Sequence, residues 1–300
     1  MSTNEAHRPL TRILLVTGKG GVGKTTVAAG LAFALAKAHG AAALVEFGDG
    51  ESGARSLGAN AHKHGVTHVV IRPDESIVRA TAPLFGGGLI ARMALGNFAI
   101  KRLFKAAPAV RELAMLECVR LVAEEKKDRP IVVDLPATGH GVAWLRVPAQ
   151  LRDATVKGPL FELTDRLVRE LITPGRASPI IVTLPERLVL AETLELCGAM
   201  EREVGLAPAR LVVNRMPPPI PAGAIADARK LGEGRLPIAG AARELENVLS
   251  TRELARDEAL AVLGDAGLRS GLRPALLPEA PTDPHGRDVA EWLVREGVLA

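Results

Sequence analysis

The stretch "ILLVTGKGGVGKTT", Ile13 to Thr26, decides the fold. Its first four residues form a short β-branched run, and a helix is expected over Thr25 to Ala38, so the glycine-rich segment between them joins a strand to a helix. Gly18-x4-Gly23-Lys24-Thr25 in that context is the phosphate-loop pattern. The glycines let successive backbone N–H groups turn inward on a β-phosphate, Lys24 neutralises charge there, and the Thr25 hydroxyl is a ligand for Mg2+. Gly20, Gly21, Val22, Gly23, Lys24, Thr25 and Thr26 are therefore the expected contacts of a bound nucleotide. The loop also carries a second lysine, Lys19, which a plain phosphate loop does not need.

Working outward, Ala42–Phe47, Ile131–Leu135, Ile180–Leu184 and Arg210–Asn214 repeat the character of Ile13–Val16. These runs are apolar throughout rather than alternating, so they read as strands covered on both faces. Longer helical patterns separate them, which predicts a doubly wound α/β fold: a mostly parallel sheet with helices on both faces. The whole chain, 1–300, reads as one domain. Two segments, about 77–123 and 148–172, are helical in pattern and are expected as helical insertions. In the second, Leu160, Leu163, Leu167, Val168, Leu171 and Ile172 form an apolar stripe expected to pack on its neighbours. Proline clusters at Met216–Pro221 and Leu277–Pro284 mark loops.

Composition narrows the functional class. Hydrophobic residues make up 47% and charged ones 24%, the balance of a soluble globular protein. The formal net charge is +4, but 38 basic and 34 acidic residues are interspersed, so the excess does not point to nucleic acid. Tyrosine is absent and aromatics are only 3%, which disfavours a stacking platform for single strands. Cys118 and Cys197 lie far apart, with neither a disulfide framework nor a zinc clamp indicated. "MSTNEAHRPLTR" lacks the apolar core of a signal peptide, and no apolar run approaches the ~18 residues of a membrane span. A cytoplasmic protein without stable membrane insertion is expected. His62, His64 and His68 are read as solvated.

The loop KGGVGKTT resembles the signature of the deviant phosphate-loop ATPases that include MinD, ParA, the nitrogenase iron protein and the ArsA type. The resemblance implies that Lys19 reaches across a dimer interface to the partner's nucleotide, a cation supplied in trans much as an arginine finger is. "DLPATGHGVAWLRVP", Asp134 to Pro148, is similar to switch II of the ArsA and tail-anchored-protein-targeting (Get-type) ATPases, with Asp134 holding the Mg2+ shell. "LPERLVLAETLEL", with Pro185, Glu186, Glu192 and Thr193, resembles that family's segment after the next strand. "VVNRM" implies Asn214 as an adenine reader, and "LLPEAP" places Pro278 in the adenine loop.

The chain departs from that family at three points. Gly48 stands where its switch I aspartate belongs, and Asp49 follows one residue later as the candidate water orienter, with Glu46 or Glu51 next in line. The zinc-binding CxxC of the eukaryotic targeting factors is missing, and so are the second nucleotide domain and metalloid cysteines of arsenite pumps. Pro83–Lys105, with Leu89, Met93, Ile100 and Phe104 on one face, reads as an amphipathic helix, packed internally or offered to a membrane surface or an apolar client helix. The expectation is an ATPase using ATP and Mg2+, catalysed through Lys19, Lys24 and Asp49, slow in turnover. It would act as a homodimer or a heterodimer with a paralogous ATPase, with a hydrophobic protein client. The alternatives are a weakly catalytic regulatory subunit and a MinD/ParA-like positioning ATPase; "RDVAEWLVREGVLA" (Arg287–Ala300) is too acidic for the membrane helix the latter needs.

Overall fold

The computed structural model describes residues 9–81, 108–136, 141–234, 237–270 and 272–300. Seven strands among them form one all-parallel sheet: β1 Ile13–Gly18, β2 Ala42–Phe47, β3 Val66–Ile71, β4 Ile131–Asp134, β5 Ala177–Thr183, β6 Arg210–Met216 and β7 Pro274–Pro278. Their order is β3-β2-β4-β1-β5-β6-β7, so β1 sits at the centre and its loop opens at the switch point of a doubly wound sheet. The helices are α1 Lys24–His39, α2 Glu51–Leu57, α3 Pro73–Thr81, α4 Pro108–Glu125, α5 Gly141–Asp153, α6 Pro159–Leu167, α7 Arg187–Ala199, α8 Ala224–Glu233, α9 Ala239–Ser270 and α10 Gly286–Arg295.

Residue parity separates the two faces of the sheet. Ile13, Leu15, Ala43, Val45, Ile131 and Val133 enter one core with Leu113, Leu116 and Val119 of α4, Leu145 of α5 and Leu167 of α6. Leu14, Val16, Ala42, Leu44 and Val132 enter the other, with α1 and with Val289 and Leu293 of α10. α1 is built from alanine, glycine and leucine because ten consecutive positions, 27–36, are buried. α10 lies close on it: a Cβ on Gly30 would come within 2.6 Å of Val289 Cγ1, and one on Gly286 within 3.0 Å of Ala29 Cβ.

Of the segments read as insertions, α4 lies against the sheet, while residues 82–107 fall outside the described ones, taking with them the whole of the amphipathic stretch Pro83–Lys105. In the second segment Leu163, Leu167, Leu171 and Ile172 are buried in the α4 core, whereas Leu160 is exposed. Arg120 of α4 donates to both carboxylate oxygens of buried Glu117 and to Glu170 after α6, tying these two helices by charge as well as packing. The sequence reading had no strand at β3 or β7. Both lie at the two edges of the sheet, where β3 is half exposed along most of its length and carries Thr67 and His68, which break an otherwise β-branched run.

Candidate nucleotide-binding site

The phosphate loop leaves β1 where no side chain fits. Gly18 has φ 148, and a Cβ there would lie 2.1 Å from the Val182 carbonyl oxygen of β5. Gly23 has φ 90, and a Cβ would lie 2.3 Å from Asn214 Nδ2. The loop is thus pressed against β5 and β6 by glycine alone. It then feeds α1, whose first turn holds no acidic residue and whose N-terminus receives no side-chain cap. Those uncapped N–H groups, at the positive end of the helix dipole, make a seat for an anion.

Lys24 is 6% exposed and its ammonium donates to the Lys19 carbonyl at 2.8 Å. Burial lowers its pKa, and the charge of Asp134 works the other way. Thr25 Oγ1 donates to Asp134 Oδ2 at 2.6 Å. Asp134, 7% exposed, leaves its other oxygen, Oδ1, buried without a hydrogen-bond partner. Burial pushes its pKa up to about 6, against the Thr25 bond and the Lys24 charge, with Glu46 adding to the rise. An orphaned carboxylate oxygen next to a threonine hydroxyl fits the shell of a hydrated Mg2+. Among the described residues no group of three or more His, Cys, Asp or Glu assembles a metal cage. A cation here would take its remaining ligands from water and phosphate, which is how Mg2+ binds.

Lys19 is 51% exposed on its side chain and is ion-paired with Glu192 of α7. Asp49 is exposed, and its Oδ1 accepts the Glu51 N–H at 3.0 Å, a local turn bond just ahead of α2. The flanking Gly48 and Gly50 have φ 109 and 83, the left-handed values that a bulged loop demands. Asn214 Nδ2 donates to the Val22 carbonyl at 2.9 Å, joining the end of β6 to the phosphate loop. Pro278 ends β7 in register with Met216 and is exposed at the same edge. Residues 137–140, which include His140, fall outside the described ones.

The structure joins Glu46, a reserve candidate for the water orienter, to a histidine that was expected to be solvated. Glu46 of β2 is 6% exposed, and its Oε2 lies 2.9 Å from the Gly53 N–H and 3.0 Å from His68 Nε2. His68 is thus a partner of a buried carboxylate rather than a solvated side chain. The signal for Glu46 was a lone acid inside the apolar run AALVEF; its histidine partner required the β2–β3 pairing to be seen.

Comparison with known proteins agrees with this geometry. The ATPase BagA of Mycobacterium tuberculosis (strain ATCC 25618 / H37Rv) is 29% identical over 226 residues, covering 68% of this chain and 65% of that protein. A Mycobacterium bovis protein that carries the name "Putative ATPase Mb3704" matches to the same extent. The match spans only about two thirds of the length of these relatives. Residues 13–248 match the family model described as the CobQ/CobB/MinD/ParA nucleotide binding domain. That match covers well over half of the chain, and the chain belongs to the CobQ/CobB/MinD/ParA nucleotide-binding family.

Proposed function

We propose that the chain is a Mg2+-dependent ATPase of the ArsA/Get type that works as a dimer and whose nucleotide state governs the binding of a protein client. The observation that carries the nucleotide chemistry is the Thr25–Asp134 contact, with Oδ1 of the aspartate left without a partner at the mouth of the phosphate loop. ATP would lie with its phosphates on the N–H groups of Gly20 to Thr26 and against Lys24, and Asn214 and Pro278 would flank the base. Mg2+, held through Thr25 and Asp134, would neutralise charge on the β- and γ-phosphate oxygens. The name of BagA as an ATPase supports turnover. Lys19 supports a trans role by its position: its partner Glu192 is half exposed, and an exposed ion pair is exchanged at little cost. The dimer is a homodimer or pairs this chain with a paralogous ATPase, and the client is a hydrophobic protein segment; neither nucleic acid nor stable membrane insertion has a part in this reading.

A second reading has its own observation. Asp49 follows Gly48, and one of its oxygens is engaged by the Glu51 N–H, which suits a nucleotide-binding regulatory subunit with weak turnover of its own. Calorimetry tests the shared core of both readings. Wild type is expected to bind ATP only with Mg2+ present, and Lys24→Ala to lose that binding. Unchanged affinity in the variant would sink the assignment.

A further inference from the structure

Glu46 and Asp134 are neighbours in the β2–β4 ladder, and the parity of both strands turns their carboxylates to the face covered by α1. Burying one carboxylate is costly; keeping two side by side is more so, unless a cationic or phosphate-bearing ligand complex is meant to complete the site. Glu46 is also aimed. The Gly53 N–H and His68 Nε2 both converge on Oε2, and an ionised carboxylate only accepts, so Nε2 is the donor. The fit is tight: a Cβ on Gly53 would stand 2.2 Å from Oε2 and 2.7 Å from His68 Nε2. Oε2 is thereby fixed, and Oε1 takes part in neither bond. Asp49, three residues on, is exposed and spends Oδ1 on the Glu51 N–H.

We infer that Glu46 is the carboxylate that orients the attacking water in ATP hydrolysis, with His68 as the positioning residue that aims it. This rests on the ATPase reading above. Water held on Oε1 forms a bond from its oxygen to the γ-phosphorus, while the bond from that phosphorus to the β–γ bridging oxygen breaks. ADP leaves with the electron pair. One water proton remains on the inorganic phosphate, and the other passes by way of the carboxylate to solvent. Positioning suffices here, because phosphoryl transfer through a loose transition state needs little proton abstraction as the bond forms.

The test uses the full chain as wild type, Glu46→Gln, His68→Ala, His68→Gln and Asp49→Asn, with MgATP affinity from calorimetry and turnover from phosphate release. A glutamine at 46 would turn its carbonyl to Gly53 and His68 and leave an NH2 where the water needs an acceptor. Glu46→Gln should therefore bind MgATP as well as wild type, which also shows that it is folded, and lose about 100-fold or more in kcat. His68→Ala should lower kcat at constant KM, and His68→Gln, whose amide still donates, should recover most of the loss. Wild-type turnover in Glu46→Gln overturns the inference, and so does a loss confined to Asp49→Asn or a Glu46→Gln defect that lies in MgATP affinity. A wild type that fails to bind MgATP instead overturns the ATPase reading itself. One that binds MgATP but releases no phosphate overturns the hydrolytic half of that reading together with this inference.

Discussion

Asp134 shows how a single residue's surroundings become a measurable property of the free protein. Its carboxyl titrates near 6 in the fold, raised by burial from an ordinary 3.8. Between those values the folded chain holds a proton that the unfolded chain has released, so stability falls as pH rises through that window. The term amounts to about 3 kcal/mol at full shift, it is complete by about pH 6, and it is absent below about pH 4. Thermal melts of ligand-free wild type and Asp134→Asn should show it: the wild-type Tm, relative to the variant, drops between pH 4 and 6 and then levels. A flat difference would mean that the carboxylate is already paid for by a partner. At this scale the sequence was legible wherever a residue acts through its own spacing. Lys24, Thr25 and the loop glycines are fixed by local pattern, and Asp134 by standing at the end of an apolar run. Lys19–Glu192 and Glu46–His68 were not legible as pairs, since each joins positions that only sheet registry and helix docking bring together.

Among elements, the α1–α10 contact is the one most exposed to a small change. Gly30 lets the two helices approach until Val289 and Leu293 lie on its backbone. Gly30→Val puts side-chain atoms into occupied space, and overpacking of this kind costs about 1–3 kcal/mol. Urea unfolding should register that loss with little change in m. If Gly30→Val were as stable as wild type, the helices would have room that the packing denies. Helix α10 was read as too acidic for a membrane anchor, and its apolar residues Val289 and Leu293 are turned into the core. No helix among the described residues is long and apolar enough to cross a membrane. The central strands were legible because each is apolar on both faces. The edge strands β3 and β7 were hidden by polar or proline residues that an edge tolerates and a centre does not.

At the level of the whole molecule, Lys19 makes the proposed dimer testable. With ATP, wild type should grow in mass by light scattering and remain monomeric with ADP. Lys19→Ala should fold normally and stay monomeric with both. A wild type that stays monomeric with both nucleotides would count against the homodimer and turn attention to a paralogous partner. The doubly wound architecture was readable in advance from the alternation of apolar runs with helical patterns, but the strand order was not, because crossover direction leaves no mark on composition.

That strand order sets a timetable for synthesis. β1 is made first, yet in the sheet it pairs only with β4 and β5. Thr25 waits for Asp134, 109 positions downstream, and Thr11 for Ser178, 167 positions downstream. At translation rates of about 5–20 residues per second, this buried apolar strand and the alanine-rich helix behind it remain without a sheet for on the order of ten seconds. The nascent nucleotide site is therefore a stretch for which holding chaperones would compete, and nucleotide cannot help the chain fold until β4 with Asp134 has been made.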